Sequence, residues 1–206
     1  MLGDNPPGAD NQQETKESPL DPNWICGFVD GEGCFSVAIH RNPFVRRTRG
    51  WQLGAVFQVT QHEGKRGVLE RLAGTFGCGA VRSKGPRSSV LVYSVSSLHD
   101  LEERIIPFFR AHPLHVKQTD FDRFAGVVGA MLRKEHLEPA GFDRIVRVAY
   151  EMNAVGKQRS RSLEEVLLGS SETIRQAPIE GDEIVRPPRR RGESGGNGLI
   201  PRETEE

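Results

Sequence analysis

Hydrophobic and polar positions along the chain follow two periods. Residues 34–40, CFSVAIH, put Phe35, Val37 and Ile39 on one face and Cys34, Ser36, Ala38 and His40 on the other. Residues 51–61, WQLGAVFQVTQ, set Leu53, Ala55, Phe57 and Val59 against Gln52, Gly54, Val56, Gln58 and Thr60. Alternation of this kind predicts two half-buried strands. Two more are expected at about 79–84 and 88–96, joined by the basic turn RSKGPRSS. Around them the period lengthens. Asp21-Pro22 is an N-cap followed by proline at the first helical position, so a short helix runs from there to about Gly31. Val68, Leu69, Leu72, Ala73 and Phe76 make the apolar stripe of a helix near 65–76. Ser97 caps LHDLEERII, a run that Pro107 is expected to break. FDRFAGVVGAMLRKEHL repeats every 3.6 residues, Gly141 leads into FDRIVRVAYEMN, and Ser162 with Glu165 forms a capping box for LEEVLL. The order is αββαββα followed by extra C-terminal helices, an α+β fold with an antiparallel sheet. Residues 1–20 read as a disordered leader, 21–168 as the folded domain and 169–206 as a disordered tail.

One stretch, PNWICGFVDGEGCF at 22–35, sits awkwardly in this pattern. It opens as a helix but carries Gly27 and Gly31, each about 1 kcal/mol worse than alanine in a helix interior. It ends on Glu32, an acid at the negative end of the helix dipole. Gly27 and Gly31 share one face, with Cys26 and Asp30 beside them, and small residues at that spacing let two helix backbones approach closely. Trp24, Ile25, Phe28 and Val29 are left to pack on the chain's own core. The helix is therefore expected to cross a second, similar one, setting two carboxylates side by side. Two explanations of Glu32 stand at this point: a helix end facing water, or a ligand for a hard divalent cation shared with phosphate oxygens.

Charge narrows the field of partners. The whole chain is neutral, but residues 24–168 hold 21 basic and 15 acidic residues between acidic ends, which suits a polyanion. Three cysteines without a C-x-x-C pair point to a reducing compartment and away from a disulfide framework or structural zinc. No apolar run reaches the length of a membrane span, and the N-terminus lacks the features of a secretory or transit signal. An intracellular, soluble protein of a bacterial cytoplasm or organelle matrix is expected. His112 and His115 make an H-x-x-H without a third ligand nearby, and His136 falls near a helix end where a cation is favourable. No H-N-H, GIY-YIG, Ser-His-Asp or P-loop arrangement is present.

ICGFVDGEG, residues 25–33, resembles the LAGLIDADG motif of homing endonucleases position for position. Gly27, Asp30 and Gly33 match; Ile25-Cys26 stand for Leu-Ala, Phe28-Val29 for Leu-Ile, Gly31 for Ala and Glu32 for the second Asp. FQVTQ (57–61), IIPFF…PLHVKQTDF and MLRKEHLEPAGFDRIVRVAYEMN resemble later parts of the family, so the similarity covers roughly 22–168.

The resemblance implies the LAGLIDADG fold, a saddle-shaped four-stranded antiparallel sheet packed on helices, and a site-specific double-strand DNA homing endonuclease, encoded in an intron, with a long pseudo-palindromic target. It implies Mg²⁺, or Mn²⁺ in its place, at Glu32 and the Gly31 carbonyl; Gln61 ordering water; and Lys117 and Lys65 as basic residues near the scissile phosphate. DNA contacts would come from Ser36, Ala38, His40, Asn42, Gln52, Gln58, Arg82 and Lys84 on the sheet, and from Arg46, Arg47, Arg49 and Arg87 in the turns. Because only one motif is present, a homodimer is expected across Cys26, Gly27, Asp30 and Gly31. The alternatives are an intron RNA maturase on the same fold, with its own intron RNA as partner, and a catalytically inactive DNA-binding regulator.

Overall fold

The computed structural model describes residues 19–46, 48, 50–153 and 161–168. The predicted leader, apart from residues 19 and 20, and the whole predicted tail lie outside them, as do Arg47 and Arg49.

Helix α1 (Pro22–Glu32) starts where Asp21 accepts hydrogen bonds from the backbone N–H groups of Asn23 and Trp24. It passes into strand β1 (Gly33–Arg41) with no loop between them. Gly33 makes that junction. Its N–H donates to the Val29 carbonyl, and a Cβ there would lie 2.6 Å from Val29 Cγ1 and 2.7 Å from Val29 O. The backbone is extended at φ −82°, so glycine is required here by close approach rather than by a left-handed turn. Strand β2 (Trp51–His62) pairs antiparallel with β1, Gly33 opposite Val59 and Arg41 opposite Trp51. Helix α2 (Arg66–Phe76) ends in a left-handed Gly77 with φ 63°. Strands β3 (Ala80–Ser83) and β4 (Val90–Val95) complete an open antiparallel sheet in the order β1-β2-β4-β3. Both are shorter than the alternation suggested.

The remaining helices cover one face of the sheet. Helix α3 (Leu98–Asp100), a π-helical segment (Leu101–Ile105) and α4 (Ile106–Ala111) run on without interruption, so Pro107 does not break the helix as expected. The wider turn is closed by the Ile106 N–H bonding back to Leu101 O, and Pro107 then falls in a fresh first turn, where a missing N–H costs little. Helices α5 (Gln118–Leu132) and α6 (Pro139–Glu151) follow. Residues 163–168 are helical, with Ser162 Oγ accepting from the Glu165 N–H at 3.0 Å. The other half of the predicted capping box is replaced by a Glu165 pair with Arg161.

The inward positions of β1 and β2 are Phe35, Val37, Leu53, Ala55, Phe57 and Val59, all buried. Phe35 is the hub of an aromatic cluster with Phe57, Phe109, Phe121 and Phe124, ring centroids 5.1–5.5 Å apart. Gly141 belongs to the first turn of α6 rather than to the connection before it, and a Cβ there would stand 2.0 Å from the Glu135 carbonyl oxygen. Backbone cannot yield as a side chain can. Gly141→Ala is therefore expected to destabilise the domain by about 3 kcal/mol or more, read as a fall in the urea midpoint at unchanged slope.

Candidate active site and nucleic-acid interface

The direct helix-to-strand junction places Glu32 at the edge of the sheet, where its carboxylate is exposed and has no hydrogen-bond or ion-pair partner among the described residues. Since Gly33 faces Val59, Gln61 lies two residues past the start of β1, at the same edge as Glu32. Lys65 is exposed at the end of the 3-10 turn Glu63–Lys65 that leads into α2.

Asp30 and Lys117 build a reciprocal clasp between α1 and α5. The Asp30 carboxylate accepts from the backbone N–H groups of His115, Val116 and Lys117 at 2.8, 3.1 and 3.0 Å. The Lys117 ammonium donates to the carbonyls of Val29, Asp30 and Gly31 at 3.1, 2.6 and 3.2 Å. An acid thus sits at the positive end of α5 and a base at the negative end of α1, each supplied by the other helix. The last turn of α1 has no basic residue of its own, so Lys117 offsets the dipole that would otherwise repel Glu32. Sequence reasoning placed Asp30 on a dimer face. Its carboxylate instead engages its own chain, a link spanning about 87 residues that no local pattern reveals.

Cys26 is also turned inward: it is 5% exposed and its Sγ donates to the His112 carbonyl at 3.2 Å. Trp24, expected to pack on the core, is 43% exposed and stacks on Phe28 with centroids 4.9 Å apart. The open face of α1 therefore carries Trp24, Gly27 and Gly31, positions i, i+3 and i+7, while Phe28 is half-buried and packs against the core as expected. A Cβ at Gly27 or Gly31 would meet nothing within 4 Å.

The outward face of the sheet follows from the register. Cys34, Gln58, Ser94 and Ala80 form one row across all four strands; His40 faces Gln52, Ser36 faces Val56, Ala38 faces Gly54, and Thr60, Val92 and Arg82 form another row. His40, Gln52 and Arg82 are exposed, and Ser36, Ala38 and Gln58 half-buried. Lys84 lies one residue past β3, its N–H held by Val90 O, and is exposed, as are Arg46 and Arg87. Asn42 is not a free member of this face. It lies beyond β1 and its Nδ2 donates to Gln52 Oε1 at 2.7 Å.

Other titratable groups carry less. Among the described residues, no three His, Cys, Asp or Glu side chains cluster as a metal site, and His112 packs on Phe108. His136 departs from the favourable cation expected of it: burial lowers its pKa and favours the neutral ring. Burial likewise raises the Cys34 thiol, the effect of the nearby Lys117 charge being smaller, so this cysteine on the outward face is a poor nucleophile. No helix among the described residues is long and apolar enough to cross a membrane.

The model of the LAGLIDADG endonuclease family matches residues 25–128. The homing endonuclease I-ApeII of Aeropyrum pernix is 30% identical over 149 residues, 70% of this chain and 86% of that protein. The uncharacterized 50.9 kDa protein in ND4 intron 1 of Podospora anserina is 33% identical over 123 residues, 58% of this chain; the match spans only 26% of that longer protein. Among solved structures, the archaeal intron-encoded homing endonuclease I-Vdi141I, complexed with DNA, aligns at a TM-score of 0.65 and 30% identity, over 72% of this chain and 92% of that one.

Proposed function

The chain belongs to the LAGLIDADG endonuclease family, and on that premise we propose that it is a site-specific, divalent-metal-dependent DNA endonuclease, intron-encoded, that cuts both strands of a long pseudo-palindromic target as a homodimer. The observation that carries this is Glu32: an exposed carboxylate with no partner among the described residues, held at a direct helix–strand junction at the end of the sheet.

Glu32 and the Gly31 carbonyl, which also accepts from the Lys117 ammonium, are hard oxygen donors of the kind Mg²⁺ and Mn²⁺ take. They fit the metal in type but not in number, which the Glu32 of a second copy and the DNA phosphates make up. A bound divalent ion supplies an activated water and stabilises the departing oxygen. The protein's own contributions are distinct. Gln61, at the Glu32 edge, holds water by its amide. Lys117 and Lys65 place positive charge where the phosphodiester gains negative charge. Gln58, His40, Gln52 and Arg82 face the base edges of the major groove, while Arg46, Lys84 and Arg87 meet phosphates and fix the register. The test is to join the sequences flanking the gene's intron and offer that junction as substrate. Mg²⁺-dependent cleavage of both strands within it, abolished by chelator, is expected. Tight binding without cutting would leave a DNA-binding regulator instead.

The Trp24–Gly27–Gly31 stripe is the face on which two copies meet, the glycines allowing close backbone approach and Trp24 supplying apolar area. Gly27→Leu is expected to leave the folded protomer intact, since a side chain there meets open space. It should nonetheless overpack the helix crossing and turn the dimer into monomers that no longer cut. Sedimentation and thermal unfolding measured together check this; a stable, active dimer of the variant would refute the assignment.

A further inference from the structure

At the tip of the β1–β2 hairpin Phe44 stands 91% exposed, the largest exposure of any large apolar side chain among the described residues. A single exposed apolar residue is ordinary. The way the loop holds this one is not. Asn42 Oδ1 accepts from the Phe44 N–H at 3.2 Å, while Asn42 Nδ2 is anchored on Gln52. The Val45 N–H donates to Asn42 O, the Asn42 N–H to Gly50 O and the Gly50 N–H to Val45 O, at 3.0, 2.8 and 2.8 Å. Pro43 restricts the residue before Phe44, Gly50 takes the positive φ of 79° that closes the loop, and buried Thr48 bonds the Trp51 carbonyl. Hydrogen bonds thus hold the backbone at Asn42, Phe44 and Val45 while the ring of Phe44 faces solvent.

Its position defines what it meets. Strand β1 runs Gly33–Arg41 away from Glu32, and nine residues at about 3.3 Å each carry the loop roughly 30 Å from that carboxylate. At about 3.4 Å per base pair this is some nine base pairs. The outward positions at this end of the sheet, His40 and Gln52, are polar, and Arg46, two residues further along the loop, is an exposed cation for a phosphate. Among base edges in the major groove, the 5-methyl group of thymine is the apolar feature a phenyl ring can recognise. We propose that Phe44 reads the 5-methyl of a thymine near the outer end of each half-site, about nine base pairs from the cleavage point. The inference rests on the DNA-endonuclease assignment and adds one specificity contact to it.

The experiment isolates a methyl group. Bound sites are selected from randomised duplexes with the full-length protein, and each thymine of the preferred site is replaced in turn by deoxyuridine, which pairs identically. Wild type is expected to bind one outer substitution about fourfold more weakly, the worth of one buried methyl. Phe44→Ala should bind the thymine site about tenfold more weakly than wild type and fail to distinguish thymine from uridine there. Its melting temperature should be unchanged, because the ring touches little of the protein. Phe44→Ala that binds as wild type does, or that retains the discrimination, overturns the inference while leaving the endonuclease standing. So does wild-type binding indifferent to every outer uridine, the result expected if the ring instead wedges between bases. Selection that yields no preferred DNA at all removes the endonuclease assignment, and the inference with it.

Discussion

Glu32→Gln should bind target DNA as wild type does and cut it more slowly by a factor of about 10³ or more. The amide keeps the size and polarity of the carboxylate, but it removes the charge that a divalent ion requires. Nothing in the chain's own fold depends on that charge, because the carboxylate is exposed and has no partner among the described residues. The unfavourable helix dipole at this end of α1 is offset by the Lys117 ammonium rather than by Glu32. The variant should therefore melt at about the same temperature while losing activity, the pattern of a residue kept for chemistry rather than for folding. Gel-shift and single-turnover cleavage assays on one preparation, with thermal unfolding alongside, read all three quantities. Undiminished cleavage would show that Glu32 is not the ligand.

Much of this arrangement is written locally, and that part was legible from the residues. Period-two alternation in 34–40 and 51–61 gave β1, β2 and their buried faces, because one face of an antiparallel sheet is solvated and the other is not. The Asp21-Pro22 cap set the start of α1 because capping is a property of a few adjacent residues. What stayed hidden depends on contacts between distant segments. Cys26 looked like part of the glycine face until the His112 carbonyl, 86 residues away, was seen to accept its thiol. Pro107 looked like a helix breaker because the π turn ahead of it has no sequence signature. The exposure of Phe44 is likewise set by hydrogen bonds that Asn42 makes to Phe44, Val45 and Gly50, which no hydrophobic period encodes.

Among these long-range contacts the clasp between α1 and α5 has the largest consequence, and Lys117→Met is expected to damage stability and cleavage together. Methionine keeps the length of the side chain but withdraws the ammonium from the carbonyls of Val29, Asp30 and Gly31. Those groups end a helix that has no basic residue in its last turn, so the charge that offsets its dipole is lost. Hydrogen bonds to a charged group contribute about 1.5–3 kcal/mol in favourable settings; for this half-buried side chain, with water able to replace part of the loss, a net cost of about 2 kcal/mol follows. Asp30 still holds the backbone of residues 115–117, so the turn itself should survive and the variant should fold. Cleavage should fall by about 10²-fold or more, because the same ammonium adjoins the junction that carries Glu32 and tempers the field in which charge develops. Glu32→Gln and Lys117→Met thus separate on one axis and coincide on the other: the first holds the melting temperature, the second lowers it, and both stop the enzyme. Arginine at 117 restores the charge, but its planar fork cannot reproduce a compact ammonium on three converging carbonyls, so Lys117→Arg should recover only part of the stability. A Lys117→Met protein as stable as wild type would mean that solvent caps α1 equally well and that the clasp contributes nothing to folding.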